Sequence, residues 1–190
     1  MFAGPLPDVP PPALDPFLDA AARCFARYGL KRTSVPDIAS EMGVSRVTVY
    51  RRVGTVDELS RLLFARELHR LLVELSPSIA SVSGPNDIAA IIHAVVSYAR
   101  EHAVLSKMLE DEPDMVGAFL IEGLPDVVNR IVPAVSPLLR AAMEQGAIAK
   151  RDPEVVAEWL VRITASIVLA PTRRELRSFL SEVLEPVFGT

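Results

Sequence analysis

Thiols are almost missing from this chain: Cys24 is its one cysteine, which excludes an internal disulfide and any thiolate zinc cluster and fits a cytosolic setting. Cys24 falls on the apolar face of the first predicted helix, the position of a buried, inert thiol rather than a redox sensor. Histidines are few and badly spaced for a metal. His69, His93 and His102 include no pair four residues apart, so no metal site is expected. No HExxH, GxSxG, P-loop, GxGxxG or paired-cysteine motif occurs, so neither a catalytic residue nor a cofactor is expected, and the chain does not read as an enzyme. Apolar runs of about 18 residues are absent, and no basic segment leads an apolar one at the N-terminus. The expectation is a cytoplasmic protein without membrane contact.

Apolar residues, by contrast, are abundant: they make up 50% of the chain, and mean hydropathy is +0.30. That surplus must be hidden, in a bundle core, a subunit interface or an internal cavity. Net charge is −4, which taken alone argues against a nucleic-acid partner. Its distribution reverses the inference. From Arg23 to Arg52 seven basic residues face only Asp37 and Glu41, a local +5, which leaves −9 for the remainder.

The most informative stretch runs from Thr33 to Arg52 and reads as two short helices joined by a tight turn. Ser34 is placed to cap the first, with Asp37 reaching back as a short capping box and Pro36 in the first turn, where a missing N–H costs little. Ile38, Ala39 and Met42 share one face, and Gly43 supplies the positive φ that ends the helix. Ser45 caps the second. At about 100° per residue Val49 and Val53 turn inward, Val47, Thr48 and Arg51 turn outward, Arg46 stands at the N-terminal end, and Tyr50 and Arg52 flank the outer face. Such an outer face suits the major groove, where a first turn meets base edges and flanking cations and hydroxyls meet phosphates.

Thr33-Ser34-Val35, Asp37-Ile38-Ala39, Gly43-Val44-Ser45, Thr48 and Tyr50, followed by Asp57-Glu58-Leu59, resemble the helix-turn-helix signature of the TetR (tetracycline repressor) family of transcriptional regulators. The resemblance in motif covers roughly residues 14–60. Two positions depart from it: Val53 stands where members usually carry an aromatic, and Val56 where they carry a lysine that contacts phosphate.

Three regions are expected: a proline-rich, poorly ordered arm over 1–12, a helix-turn-helix domain over 13–54 and a helical ligand-binding and dimerisation domain over 55–190. The arm holds no lysine or arginine, and the first helix spans Leu14 to Tyr28. Thr55 to Glu58 form a second capping box that opens a helix of about twenty residues. Ser76 to Pro85 reads as a loop. Glu110 to Asp114 breaks the pattern as a solvated loop or as an attractor for a cationic ligand, and Gly123, Pro125, Pro133 and Pro137 interrupt the helices that follow, either leaving voids for a small ligand or merely kinking the packing.

The last two helices carry more apolar surface than one inner face needs. The sequence therefore points to a four-helix dimer interface, also where TetR-like proteins dimerise, built from Val156, Leu160, Ile163, Ile167, Leu176, Phe179, Leu180, Val183 and Leu184. Large adaptable residues in the middle of the bundle, Tyr98, Met108, Met115, Phe119, Trp159 and Arg162, are the candidates for a ligand pocket, Arg162 because a charge on an apolar helix needs a partner.

The expected protein is thus an all-α homodimer whose heads read a palindromic operator in double-stranded DNA. Arg46 would read a base edge, Val47 and Thr48 would meet thymine methyls or the backbone, and Thr33, Ser34, Tyr50, Arg51 and Arg52 would hold phosphates, with Ser45 at the start of the reading helix. The resemblance implies a repressor that releases DNA when a small apolar or amphipathic effector binds the C-terminal bundle. An activator, or a regulator switched by a protein partner, is the alternative, and a small-molecule carrier or enzyme with a vestigial head a further one.

Overall fold

Local chemistry sets where the first helices begin and end in the computed structural model, which describes residues 5–189. Residues 1–4 of the arm and Thr190 lie outside the described residues. Residues 5–11 take no regular secondary structure, and a 3-10 turn over Pro12–Leu14 leads into α1 (Asp15–Tyr28). Helix α1 has Asp15 in its first turn and stops at Gly29, whose φ is +83°. Its inward face is Leu18, Ala21, Cys24 and Phe25. Burial pushes the Cys24 thiol up, with Glu41 and Asp37 adding to the shift, so this sulfur stays a protonated core group.

Helix α2 (Val35–Met42) starts with the expected capping box: Ser34 accepts the Asp37 N–H, and Asp37 accepts the Ser34 N–H. The Ser34 hydroxyl and N–H together hold the Asp37 carboxyl below its ordinary range. After Gly43, α3 (Arg46–Val53) begins on Ser45, whose hydroxyl accepts the Thr48 N–H at 3.2 Å. Eight residues are too few for a helix to stand alone. Val49 and Val53, both buried in the shared core, hold α3 in place.

Helix α4 (Val56–Ala80) is longer than the sequence pattern predicts, because it continues through Ser76 and Pro77 where a loop was expected. At 1.5 Å per residue it spans roughly 37 Å. Proline near a helix end forfeits a single backbone bond, and the burial of Ile79 just beyond it favours keeping the turn. Helices α5 (Pro85–Glu101), α6 (Ala103–Asp111) and α7 (Asp114–Ala118) follow, and then a π-helical turn over Phe119–Gly123.

Helix α8 (Leu124–Glu144) overturns the expectation of interrupted segments: it runs unbroken through Pro133 and Pro137. The two prolines lie one turn apart on the exposed side. The carbonyls deprived of a donor belong to Asn129 and Pro133, both exposed, where water can satisfy them. The irregular backbone lies earlier, between Glu112 and Gly123.

Helix α9 (Pro153–Leu169) starts as expected on Asp152, which accepts the Glu154 and Val155 N–H groups, with Pro153 at the first position. Helix α10 (Leu176–Phe188) is capped by Glu175. Hydrogen bonds from Ser178 and from the Arg177 N–H hold the Glu175 carboxyl at about 2, against an ordinary 4.5. A depressed folded value means that this cap contributes stability above about pH 4.5 and loses it as pH falls toward 2. Glu175→Gln is therefore expected to lower the melting temperature at pH 7, with the gap narrowing below about pH 4.5 and closing only as pH reaches about 2. A gap of constant size across that window would remove the cap's role.

Among the described residues the regular structure is helical, with no strand. The chain groups into two compact units. The first runs through Arg70 and adds Glu101–Gly123; the second comprises Leu71–Arg100 and the residues from Leu124 on. Around the helix-turn-helix, the first unit gathers α1, α2, α3, the start of α4 and α6 over a core of Leu18, Phe25, Ile38, Val49, Leu59 and Met108. In the second, α8 packs on α9, and Ile92, Val96, Leu139, Ile148, Leu180 and Phe188 lie at the centre. Among the described residues no single helix is long and apolar enough to cross a membrane.

Candidate nucleic-acid interface

Gly43 aims α3. Its φ of +69° is a left-handed turn that a side chain strains to adopt, although nothing lies within 4 Å of where a Cβ would stand. The conformation, not the space, asks for glycine there. With Val49 and Val53 anchored below, the opposite face carries Arg46, Val47, Tyr50, Arg51 and Arg52 into solvent; Val47 is 58% and Tyr50 52% exposed. Val47, Thr48, Arg51 and Arg52 line a shallow recess on this face.

Electrostatics sharpen the picture beyond net charge. Of the seven basic residues between Arg23 and Arg52, four are neutralised by carboxylates. Arg23 lies 2.6 Å and Arg27 3.7 Å from Glu41, Arg32 lies 3.1 Å from Asp111, and Lys31 pairs with Asp114. The remaining three, Arg46, Arg51 and Arg52, have no ion-pair partner among the described residues. All three stand on α3. Arg51 and Arg52 occupy its last turn, where the helix dipole favours cations. Arg46 occupies the first turn, where the dipole disfavours it by a few tenths of a kcal/mol. Helix stability does not explain that placement, whereas contact with an anion does.

Not every expected DNA-facing residue lies on this surface. Thr33 is only 6% exposed, and its hydroxyl donates to the Gly29 carbonyl at 2.7 Å, closing the turn after α1 rather than reaching outward. Ser34 and Ser45 are exposed, yet their hydroxyls are engaged in capping, and the Ser45 Oγ also lies 2.9 Å from Thr48 Oγ1. Val56, which replaces the family's usual lysine, packs half-buried against the core of the head.

The pocket candidates separate. Met108 and Met115 are buried in the head unit, and Phe119 sets its ring edge-to-face on Phe64 with centroids 5.9 Å apart. In the second unit, Trp159 tilts against Phe188 and Tyr98 is half-buried. Arg162 is a correction: it is exposed and pairs with Glu158 one turn earlier at 2.6 Å, so its charge calls for no buried partner.

The nine interface candidates also divide, because the broad apolar arc wraps two sides of each helix. Val156, Ile167, Leu180 and Leu184 are buried within the chain's own core, which corrects their assignment to an intersubunit face. Leu160, Ile163, Leu176 and Phe179 are half-buried, and Val183 is exposed, as are Val155 and Val187 on the same two apolar faces.

Residues 17–59, from within α1 to the start of α4, match the family model for bacterial regulatory proteins, tetR family. The helix-turn-helix head is thus a TetR-family domain. An uncharacterized HTH-type transcriptional regulator of Mycobacterium tuberculosis is 26% identical over 181 residues, covering 92% of this chain and 85% of its own. A TetR-family transcriptional regulator from Pectobacterium atrosepticum shares the fold at a TM-score of 0.70 and 18% identity, with 92% and 90% of the two chains covered. The TetR family repressor AlkX from a Dietzia strain, implicated in biodegradation of n-alkanes, superposes at 0.65 with 18% identity and 93% of each chain covered. The match covers α2 and α3, which form the helix-turn-helix DNA-binding domain of a transcriptional regulator.

Proposed function

We propose that this regulator is a repressor that binds a palindromic operator as a homodimer, through α3 of each protomer, and is released by a small apolar or amphipathic ligand. The observation that carries the DNA half is the set of three unpaired arginines on one exposed helix that is otherwise held by two buried valines. Dimerisation is supported by the apolar residues left open on α9 and α10, Val155, Val183 and Val187, beside half-buried Leu176 and Phe179. Control by an apolar effector draws on AlkX, a repressor of the same fold tied to alkane breakdown. Because Met108 and Met115 close the head core, Tyr98 and Trp159 are the stronger candidates for ligand contact.

Selection of genomic fragments with purified protein, followed by footprinting, tests the proposal. A protected sequence with two-fold symmetry, released by a fatty acid or alkane, is the expected result; an asymmetric footprint, or a monomer in sedimentation, contradicts it. On that operator the arginines are expected to behave differently. Arg46→Ala costs on the order of 1–3 kcal/mol and relaxes sequence preference, whereas Arg52→Ala weakens all sequences alike and lowers the salt slope by about one unit. Equal losses on operator and random duplex for Arg46→Ala would remove it as a base reader.

A further inference from the structure

Within the head unit, two stretches about eighty residues apart close on each other. Lys31 and Arg32, in the turn before α2, meet the break between α6 and α7: Lys31 pairs with Asp114, and Arg32 Nη2 lies 3.1 Å from Asp111, which also takes Lys107 Nζ at 2.8 Å. Between these pairs Glu112 turns inside. It is 5% exposed, its Oε1 accepts the Lys31 backbone N–H at 2.8 Å, and its Oε2 has no hydrogen-bond partner. A Cβ on Gly29 would stand 2.9 Å from that Oε1, so carboxylate and turn are fitted closely to one another.

Stability is a poor explanation for this arrangement. The Lys31 and Asp114 side chains are 48% and 70% exposed, and exposed pairs contribute little. Burying a carboxylate with one oxygen unsatisfied works against folding. What the segment does accomplish is to engage two cations that stand two and three residues before Ser34, the cap at the exposed N-terminus of α2.

We propose that Asp111–Asp114 is an intramolecular competitor for DNA phosphate: Glu112 pins the turn while Asp111 and Asp114 hold Arg32 and Lys31, and opening this latch adds two cations to the DNA-binding face. The proposal rests on the DNA-binding reading of the head. Closed, the latch leaves α3 as the source of phosphate-binding charge; open, it strengthens sequence-independent binding, because both recruited side chains carry charge and neither lies on the groove-reading helix.

Binding of the full-length protein to a mixed-sequence duplex, followed by anisotropy across salt concentrations, tests it. Asp111→Asn with Asp114→Asn is expected to tighten binding about tenfold at low salt and to steepen the logarithmic salt slope by about two units per protomer. Lys31→Gln with Arg32→Gln leaves the parental slope unchanged, yet abolishes the gain when added to the asparagine pair. A parental slope in the asparagine variant, or a steeper one that persists without Lys31 and Arg32, overturns the proposal. Amide exchange without DNA gives a separate reading: Lys31 N–H is protected in the parent and in Glu112→Gln, which keeps an acceptor, and exchanges fast in Glu112→Ala. A fast Lys31 amide in the parent overturns the latch; failure of the parent to bind any duplex overturns the DNA reading.

Discussion

Replacing Arg46, Arg51 and Arg52 together by alanine is expected to lower operator affinity by roughly three orders of magnitude, about 4 kcal/mol, while leaving the fold intact. The size follows from the proposed loss of one base contact and two phosphate contacts per head, from a surface on which the neighbouring cations are already paired. Stability should move by no more than about 0.5 kcal/mol, since all three side chains are exposed and the dipole effects at the two ends of α3 oppose each other. Anisotropy on operator and random duplex, with a thermal melt of the same sample, separates the two effects. A variant that melts normally and still binds tightly would show that DNA is held somewhere other than α3.

Arg66→Ala is expected to destabilise the protein by about 3 kcal/mol. Arg66 sits on α4 with its side chain only 6% exposed, and its guanidinium reaches Asp15 at 3.0 Å, Asp19 at 2.8 Å and Glu67 at 2.8 Å. Desolvation alone would favour losing its proton, but hydrogen bonds to the three carboxylates outweigh that and raise its pKa further. Removing one partner of a buried pair costs about 3–5 kcal/mol; the lower end applies because Asp15 and Asp19 are 37% and 51% exposed and can be rehydrated. Lysine keeps the charge but lacks the fork needed to serve three carboxylates, so Arg66→Lys should lose about half as much. Urea unfolding monitored by circular dichroism decides this. A loss below 1 kcal/mol for Arg66→Ala would mean that apolar packing, not this charge cluster, seats α1 on α4.

The helix-turn-helix was legible because each of its determinants is local. Ser34, Asp37, Gly43 and Ser45 act within three or four residues, and the valines of α3 repeat at helical spacing. Longer-range outcomes were hidden. Nothing near Thr33 says that its hydroxyl closes the preceding turn, and no period reveals that Glu112 will meet Lys31 across eighty residues. Prolines misled in the same way: Pro133 and Pro137 look like breaks until their positions on the exposed side of α8 are known. Interface and core residues on α9 and α10 share one hydrophobic vocabulary, and only the packed chain distinguishes buried Leu184 from open Val183.

Three bare guanidinium groups on a molecule of net charge −4 bear on how a duplex is approached. At physiological salt an exposed charge is felt over only about 8 Å. Beyond that reach the attraction is largely screened, so a duplex meeting any other face of the acidic protein is expected to be held weakly. On the proposed DNA-binding reading, such a protein is expected to forgo fast capture and to spend little time on the excess of irrelevant DNA around its target.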